Sequence, residues 1–145
     1  MTIALAASPD GASGSIQLNG VDVVVVTDNG IASIVYDNPT ITNYTETLLA
    51  VSGSSLTVDL DNGTVQRITT TNNTSVTLPA SVAGKSFIVI VQYGGAHSLT
   101  FTGGSTLKWN SNVTPTATSI SGRIDIFTFF QDGTNTYGSV FGQGF

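Results

Sequence analysis

The sequence predicts an all-β protein: an antiparallel β-sandwich or jelly-roll-like domain with a small N-terminal β-lobe or arm. Three observations carry this. Lys85 to Tyr93 (KSFIVIVQY) places five consecutive apolar residues, Phe87 to Val91, between Gly84 and Gly94-Gly95. The run is β-branched and too short for a stable helix, so it predicts a central strand buried on both sides. Roughly ten to twelve short segments of strand type recur with turn formers between them, and no segment has a convincing helical period.

In chain order, Ser8 to Gly20 is dense in turn formers around one short alternation, Ile16 and Leu18. Val21 to Thr27 (VDVVVVT) is a second β-branched run, closed by Asp28-Asn29-Gly30, a tight-hairpin signal that predicts return through Ile31 to Tyr36. Asp37 to Tyr44 (DNPTITNY) contains Pro39 and lacks periodicity. It separates residues 1–40, a β-arm or lobe expected to serve attachment, from residues 41–145, the sandwich domain.

Next come Glu46 to Val51, Leu56 to Leu60, Val65 to Thr70 and Ser75 to Leu78, with a hairpin expected at Asp61-Asn62-Gly63. Within LTVDL and its turn, Val58 and Leu60 share one face and Asp59 and Asp61 the other. Ser98 to Phe101 and Thr106 to Trp109 flank a tight turn at Gly103-Gly104. Asp125 to Phe130 (DIFTFF) is apolar on both faces and belongs beside the central strand. Gly133 then turns the chain into Thr136 to Phe141.

Charged residues make up 9% of the 145, against about a quarter in ordinary soluble domains. Hydroxyl and amide residues hold water instead, with 22 Thr, 16 Ser and 10 Asn. Such a surface is either a bland β-protein surface or one covered by copies of itself, and scarce charge repulsion favours the second. Four Lys and Arg in all, with a net charge of -5, exclude a nucleic-acid partner, which needs clustered cations. Residues 1–60 carry six acids and no base; this is either chance or an acidic end that docks on a basic partner. Without cysteine there is no disulfide or thiolate chemistry. The N-terminus has no positively charged leader region and no run approaches the ~20 apolar residues of a membrane helix, so synthesis in the cytoplasm and no membrane association are expected.

Chemistry-bearing residues are few. His97, in GGAHS, is the only His, and there is no Gly-x-Ser-x-Gly elbow. Asp59 and Asp61 are the only tight acid pair and flank a turn, where Asp has a conformational role. With Asn62 they offer a weaker calcium possibility, but lack EF-hand spacing; zinc lacks ligands. The Asn-x-Ser/Thr triplets at Asn43, Asn62, Asn72, Asn73 and Asn112 follow from composition. No enzymatic activity, cofactor or metal is expected. Trp109, beside Lys108, is read three ways: core filling, subunit contact or glycan stacking. Apolar chain ends normally fray, so Phe141 and Phe145 suggest docking into a core or a neighbour.

From Tyr44 to Phe145 the order of YTETLLAV, LTVDLDNGTVQRITTTNNTSVTLP, KSFIVIVQYGG, LKWNSNVTPTATS and GRIDIFTFFQDGTNTYGSVFGQGF resembles a β-domain of tailed-bacteriophage virion proteins, notably tail fibres and capsid decoration or head-fibre proteins. Matching residues include Tyr44 with Glu46, the Asp59 to Gly63 turn, Lys108-Trp109, Pro115, Asp125, Phe127, Phe129, Asp132-Gly133, Tyr137, Gly138 and Phe145; ASPDGASGSIQLNGVDVVVV with GIAS also looks like a segment of such proteins. The resemblance implies a homotrimer with intersubunit β-packing, located in the virion and without enzymatic activity. The absence of a long shaft, heptad or collagen-like repeat shifts the expectation to a capsid decoration (cement or head-fibre) protein that binds the major capsid protein and stabilises the shell. The alternative is a tail-fibre, receptor-binding domain contacting a tail protein and recognising host glycan, with Trp109, Tyr93 or Tyr137 stacking on sugar. The residues expected at a subunit or partner interface are Val23, Val25, Trp109, Phe127, Phe129, Tyr137, Phe141 and Phe145.

Overall fold

The computed structural model describes residues 14–18, 21–26, 45–46 and 48–145. The chain divides into two units, Met1–Tyr44 and Thr45–Phe145. In the first, β1 (Gly14–Leu18) pairs antiparallel with β2 (Val21–Val26), with a register shift between Ile16 and Gln17. The hairpin expected at Asp28-Asn29-Gly30, the strand from Ile31 to Tyr36 and the boundary at Pro39 lie outside the described residues.

The second unit is all-β. Its strands are β3 (Leu48–Thr57), β4 (Val65–Thr77), β5 (Ser86–Tyr93), β6 (Leu99–Thr102), β7 (Thr106–Trp109), β8 (Ile124–Gln131) and β9 (Asn135–Gly142). Helical backbone among the described residues is confined to two single 3-10 turns, Leu60–Asn62 and Asn110–Asn112. The strands form one mixed sheet in the order β3-β4-β5-β8-β9-β7, with β6 also beside β4. The expected antiparallel pairing holds for β5 with β8 and β8 with β9. The β3–β4, β4–β5, β4–β6 and β7–β9 pairings are parallel.

The turn at Asp59 to Gly63 explains how a hairpin signal serves parallel strands. Val58 N–H donates to the Thr77 carbonyl at 2.9 Å, so the chain stays on the β4 ladder past the end of β3. Asp59 then caps the 3-10 turn, accepting from the Asp61 amide at 3.1 Å and the Asn62 side chain at 2.7 Å. Buried Gln66 fills the inside of the turn, donating to the Asp59 and Gly63 carbonyls and accepting from the Asp59 amide at 3.4 Å. The chain is thereby returned to start β4 with Val65 opposite Leu48.

β4 runs for 13 residues and is shared. Its first half pairs with β5 and its second with β6, and Thr71 to Asn73 form an exposed corner between them. The Gly94 N–H donates to the Thr70 carbonyl at 3.1 Å on the neighbouring corner. A Cβ on Gly94 would sit 2.3 Å from that carbonyl oxygen, so only glycine lets the two corners stack.

The core comprises Val58, Ile68, Val76, Leu78, Phe87, Val89, Val91, Tyr93, Phe127 and Phe129. Aromatic rings knit its centre: Phe87 stacks on Phe129 at 5.0 Å, and Phe101 meets Phe127 and Phe129 edge-on at 4.9 and 5.3 Å. β5 is central, as expected, but it buries one face only. Phe87, Val89, Val91 and Tyr93 point inward, whereas Ile88 is 36% exposed. β8 behaves alike, with Phe127 and Phe129 inside and Phe130 52% exposed. The continuous apolar runs therefore mark two different faces, one sealed within the unit and one turned outward.

Candidate functional site

Cross-strand register sorts the outward residues into rows. Leu48, Val65 and Ile88 are consecutive partners across β3, β4 and β5, and Ile90 faces Ile126 across β5 and β8. In β9 a register shift leaves Phe141 as the extra residue between Val140, opposite Phe127, and Gly142, opposite Ile126. Its ring is 72% exposed. Arg67 is the only cation in these rows, and it donates to the neighbouring Gln92 side chain. The outer surface from Leu48 to Phe141 is thus apolar with little charge.

Towards the other edge, Phe130 faces Tyr137 across β8 and β9, and Tyr137 faces Lys108 across β9 and β7. The Lys108 Nζ stands 5.8 Å from the Tyr137 ring centroid. The Tyr137 hydroxyl donates to Asp132 Oδ2 at 2.8 Å, which fixes the ring. Asp132 also accepts from the Asn135 and Thr134 amides at 2.6 and 2.8 Å and from the Asn135 side chain at 3.2 Å. Those backbone amides, then the Tyr137 hydroxyl and the Asn135 side chain, hold its carboxyl well below the usual carboxylate range. The same bond to Asp132 raises the Tyr137 phenol.

Below this row, a Cβ on Gly138 would lie 2.6 Å from Trp109 Cζ3, so the glycine lets the indole lie against the β9 backbone. The indole also packs on Phe101 at 5.6 Å and Phe129 at 5.7 Å. Trp109, Lys108, Phe130 and Tyr137 together line a cleft of about 400 Å³.

A second polar constellation is internal. Asp125 is 0% exposed, with no cation among its bonded partners. Its Oδ1 accepts from the Thr118 hydroxyl (2.5 Å) and the Gly144 amide (3.0 Å). Its Oδ2 accepts from the Tyr93 hydroxyl (2.8 Å), the Thr118 amide (2.9 Å) and the Gln143 side chain (3.2 Å). Burial raises the carboxyl, but the bonds from Thr118, Tyr93 and Gly144 outweigh it, and the group lies below its ordinary value. Burial and this carboxylate push the Tyr93 phenol far upward. The constellation ties the C-terminal segment and the 116–119 loop to β5 and β8.

The residues singled out by sequence therefore separate. Phe127 and Phe129, expected at an interface, are each 2% exposed and belong to the core, because odd-numbered positions of β8 face inward. Trp109 is half-buried among aromatic rings, in keeping with core filling, although one side lines the cleft. Tyr93, a stacking candidate, is buried and bonded to Asp125, so no sugar reaches it. Tyr137, Phe141 and Phe145 are exposed. Val23 and Val25 lie on β2, whose side chains are outside the described residues. His97 sits at the corner before β6, its Nδ1 3.1 Å from the Thr70 hydroxyl. Among the described residues, no three His, Cys, Asp or Glu side chains cluster to hold a metal ion. Sequence reading missed Gln66, Gln131 and Asp125 as buried polar anchors; the visible signal was a polar residue in an inward slot of a strand's alternation.

Comparison with known proteins finds no matching family model, no matching curated protein and no matching solved structure.

Proposed function

We propose that this chain is a non-enzymatic structural protein of a bacteriophage virion, a homotrimeric capsid decoration protein that binds the major capsid protein and stabilises the shell. The observation that carries the reading is the uncovered apolar outer face of the main sheet: Leu48, Ile88 and Phe141 stand exposed on a protein with 9% charged residues. Ordinary soluble domains guard such a face with charge; here a neighbouring copy takes that role. The sequence resemblance to decoration and head-fibre proteins supplies the viral setting and the copy number. A sandwich-like closure belongs to the same reading, supported by the packing of Phe101 and Trp109 over Phe127 and Phe129.

Light scattering on the purified chain tests the assembly. A stable trimer is expected at micromolar concentration, and Ile88→Glu, which places a charge on the outer face without touching the core, shifts it to monomer with the urea midpoint of the monomer retained. A parent chain that remains monomeric overturns the reading. Purified particles lacking the protein test the viral setting: the chain binds them saturably, and no binding to head or tail refutes that part.

A further inference from the structure

We propose that the outward face of β7, β8 and β9 is a saccharide-binding site that takes one pyranose ring bearing a carboxylate. This goes beyond assembly: the row of Phe130, Tyr137 and Lys108 runs out to the β7 edge, and the site meets the Leu48–Ile88 row only at Thr128, the cross-strand partner of Ile88.

The site consists of two adjoining rows of opposite character. The first is Phe130, Tyr137 and Lys108, consecutive partners across three strands. One step along, Thr128 faces Ser139 on the same side of the sheet, and Asn110 follows from the end of β7. These six residues line the cleft of about 400 Å³, which has room for one sugar ring and its substituents. A pyranose is itself two-sided: one face presents C–H groups and its rim presents hydroxyls. The aromatic row offers apolar ring faces to the first, and the hydroxyl and amide row offers donors and acceptors to the second.

The aromatic row is fixed before any ligand arrives. Asp132 holds the Tyr137 hydroxyl, and two backbone amides of the β8–β9 turn hold Asp132. Little side-chain entropy is lost when a ring stacks there. Charge sets the ligand class. Lys108 alone among the lining residues is ionic, and its ammonium, with three donors, stands 5.8 Å from the Tyr137 ring centroid. Asp132 is satisfied by four hydrogen bonds and lines no part of the cleft. A carboxylate on the sugar completes Lys108; a single cation is a poor match for a phosphate with two charges.

Trp109 is the only Trp and lines the cleft, so its emission reports occupancy in the full chain. The probes are a short oligoglucuronate and a neutral oligoglucose of equal length. Saturable change is expected with oligoglucuronate, about tenfold tighter than with oligoglucose. Tyr137→Leu should weaken both by about tenfold, while Tyr137→Phe, which keeps the ring but loses the Asp132 bond that fixes it, should weaken both by only about two- to threefold. Lys108→Met should lower oligoglucuronate to the level of oligoglucose and leave the latter unchanged. No saturable response to either sugar, or a response that survives Tyr137→Leu, overturns the site. Equal affinity for the two probes overturns the acidic ligand. Light scattering on the same samples reads assembly separately, so loss of sugar binding in an intact oligomer refutes only this inference.

Discussion

Replacing Asp125 by alanine should be among the most destabilising single changes in the Thr45–Phe145 unit. The substitution removes an acceptor from five donors, the Tyr93 and Thr118 hydroxyls, the Thr118 and Gly144 amides and the Gln143 side chain, of which Gln143 keeps its bond to the Thr116 carbonyl. Each buried donor left without a partner costs about 1–3 kcal/mol, but donors near the chain end regain water once the C-terminal segment lifts. Removing a buried, desolvated charge also returns part of its burial cost, which brings the expected net loss to about 3–5 kcal/mol. Asp125→Asn should cost less, about 1–3 kcal/mol, because an oxygen can remain at the Oδ2 position while the new NH₂ opposes only the Gly144 amide; the Thr118 hydroxyl can rotate to accept. With a urea slope of about 1–3 kcal/mol per molar, the alanine midpoint falls by roughly 1–5 M. The pH dependence has a definite sign. The folded-state carboxyl lies below its unfolded value of about 3.9, so its contribution is present above that pH and is lost as pH falls toward the folded value. Parent and Asp125→Ala stabilities should therefore converge in acid. An alanine variant with an unchanged urea midpoint at pH 7 would refute the view that this carboxylate anchors the chain end.

Alkali probes the partner of that carboxylate. The Tyr93 phenol titrates far above its ordinary value of about 10, so the folded state holds a proton that the unfolded chain gives up, and stability falls as pH rises beyond about 10. Tyrosinate absorbance should appear for part of the Tyr complement first and for Tyr93 only with unfolding; simultaneous titration of all four tyrosines below the unfolding transition would contradict this. Gly138→Ala places a methyl 2.6 Å from Trp109 and 3.1 Å from Phe129, so it should cost about 1–3 kcal/mol in urea unfolding and shift Trp109 emission; a silent substitution would mean that the indole does not rest on the β9 backbone.

Strand positions were legible because alternation and β-branching are local. The predicted runs at Thr106 to Trp109 and Asp125 to Phe130 fall on β7 and β8 almost residue for residue. Partners were not legible. Asp61-Asn62-Gly63 carries a hairpin signal, yet Gln66, four residues beyond Asn62, turns it into a return between parallel strands by filling the turn from inside. Burial on one face or two was also hidden, since Phe87 to Val91 reads the same whether Ile88 meets a second layer or stands outward. The cleft residues come from three strands and are joined only by register, which no single segment encodes.

The parallel pairings account for part of the missing charge. Stacking β3, β4 and β5/β6 brings like residues into columns: Leu48, Val65 and Ile88; Val51, Ile68 and Val91; Leu56, Val76 and Phe101; Thr57, Thr77 and Thr102. Other columns mix residue types, Leu49 with Gln66 and Val89 or Gly53 with Thr70 and Tyr93, so the likeness is partial. Strands in a sheet lie about 4.8 Å apart, and like charges facing each other at that spacing repel, so a column tolerates hydroxyls and alkyl groups far better than repeated Lys or Asp. Arg67 obeys this, with neutral Ala50 and Ile90 on either side. In the columns of like residues, stacking of the chain on itself therefore disfavours repeated charge. The antiparallel pair β8–β9 has no such columns of like residues, yet Phe141 stands exposed on it. Self-stacking does not explain that ring. It is the residue on which the case for a covering second copy rests most directly, and substituting it tests that case more sharply than any change in β3 or β4.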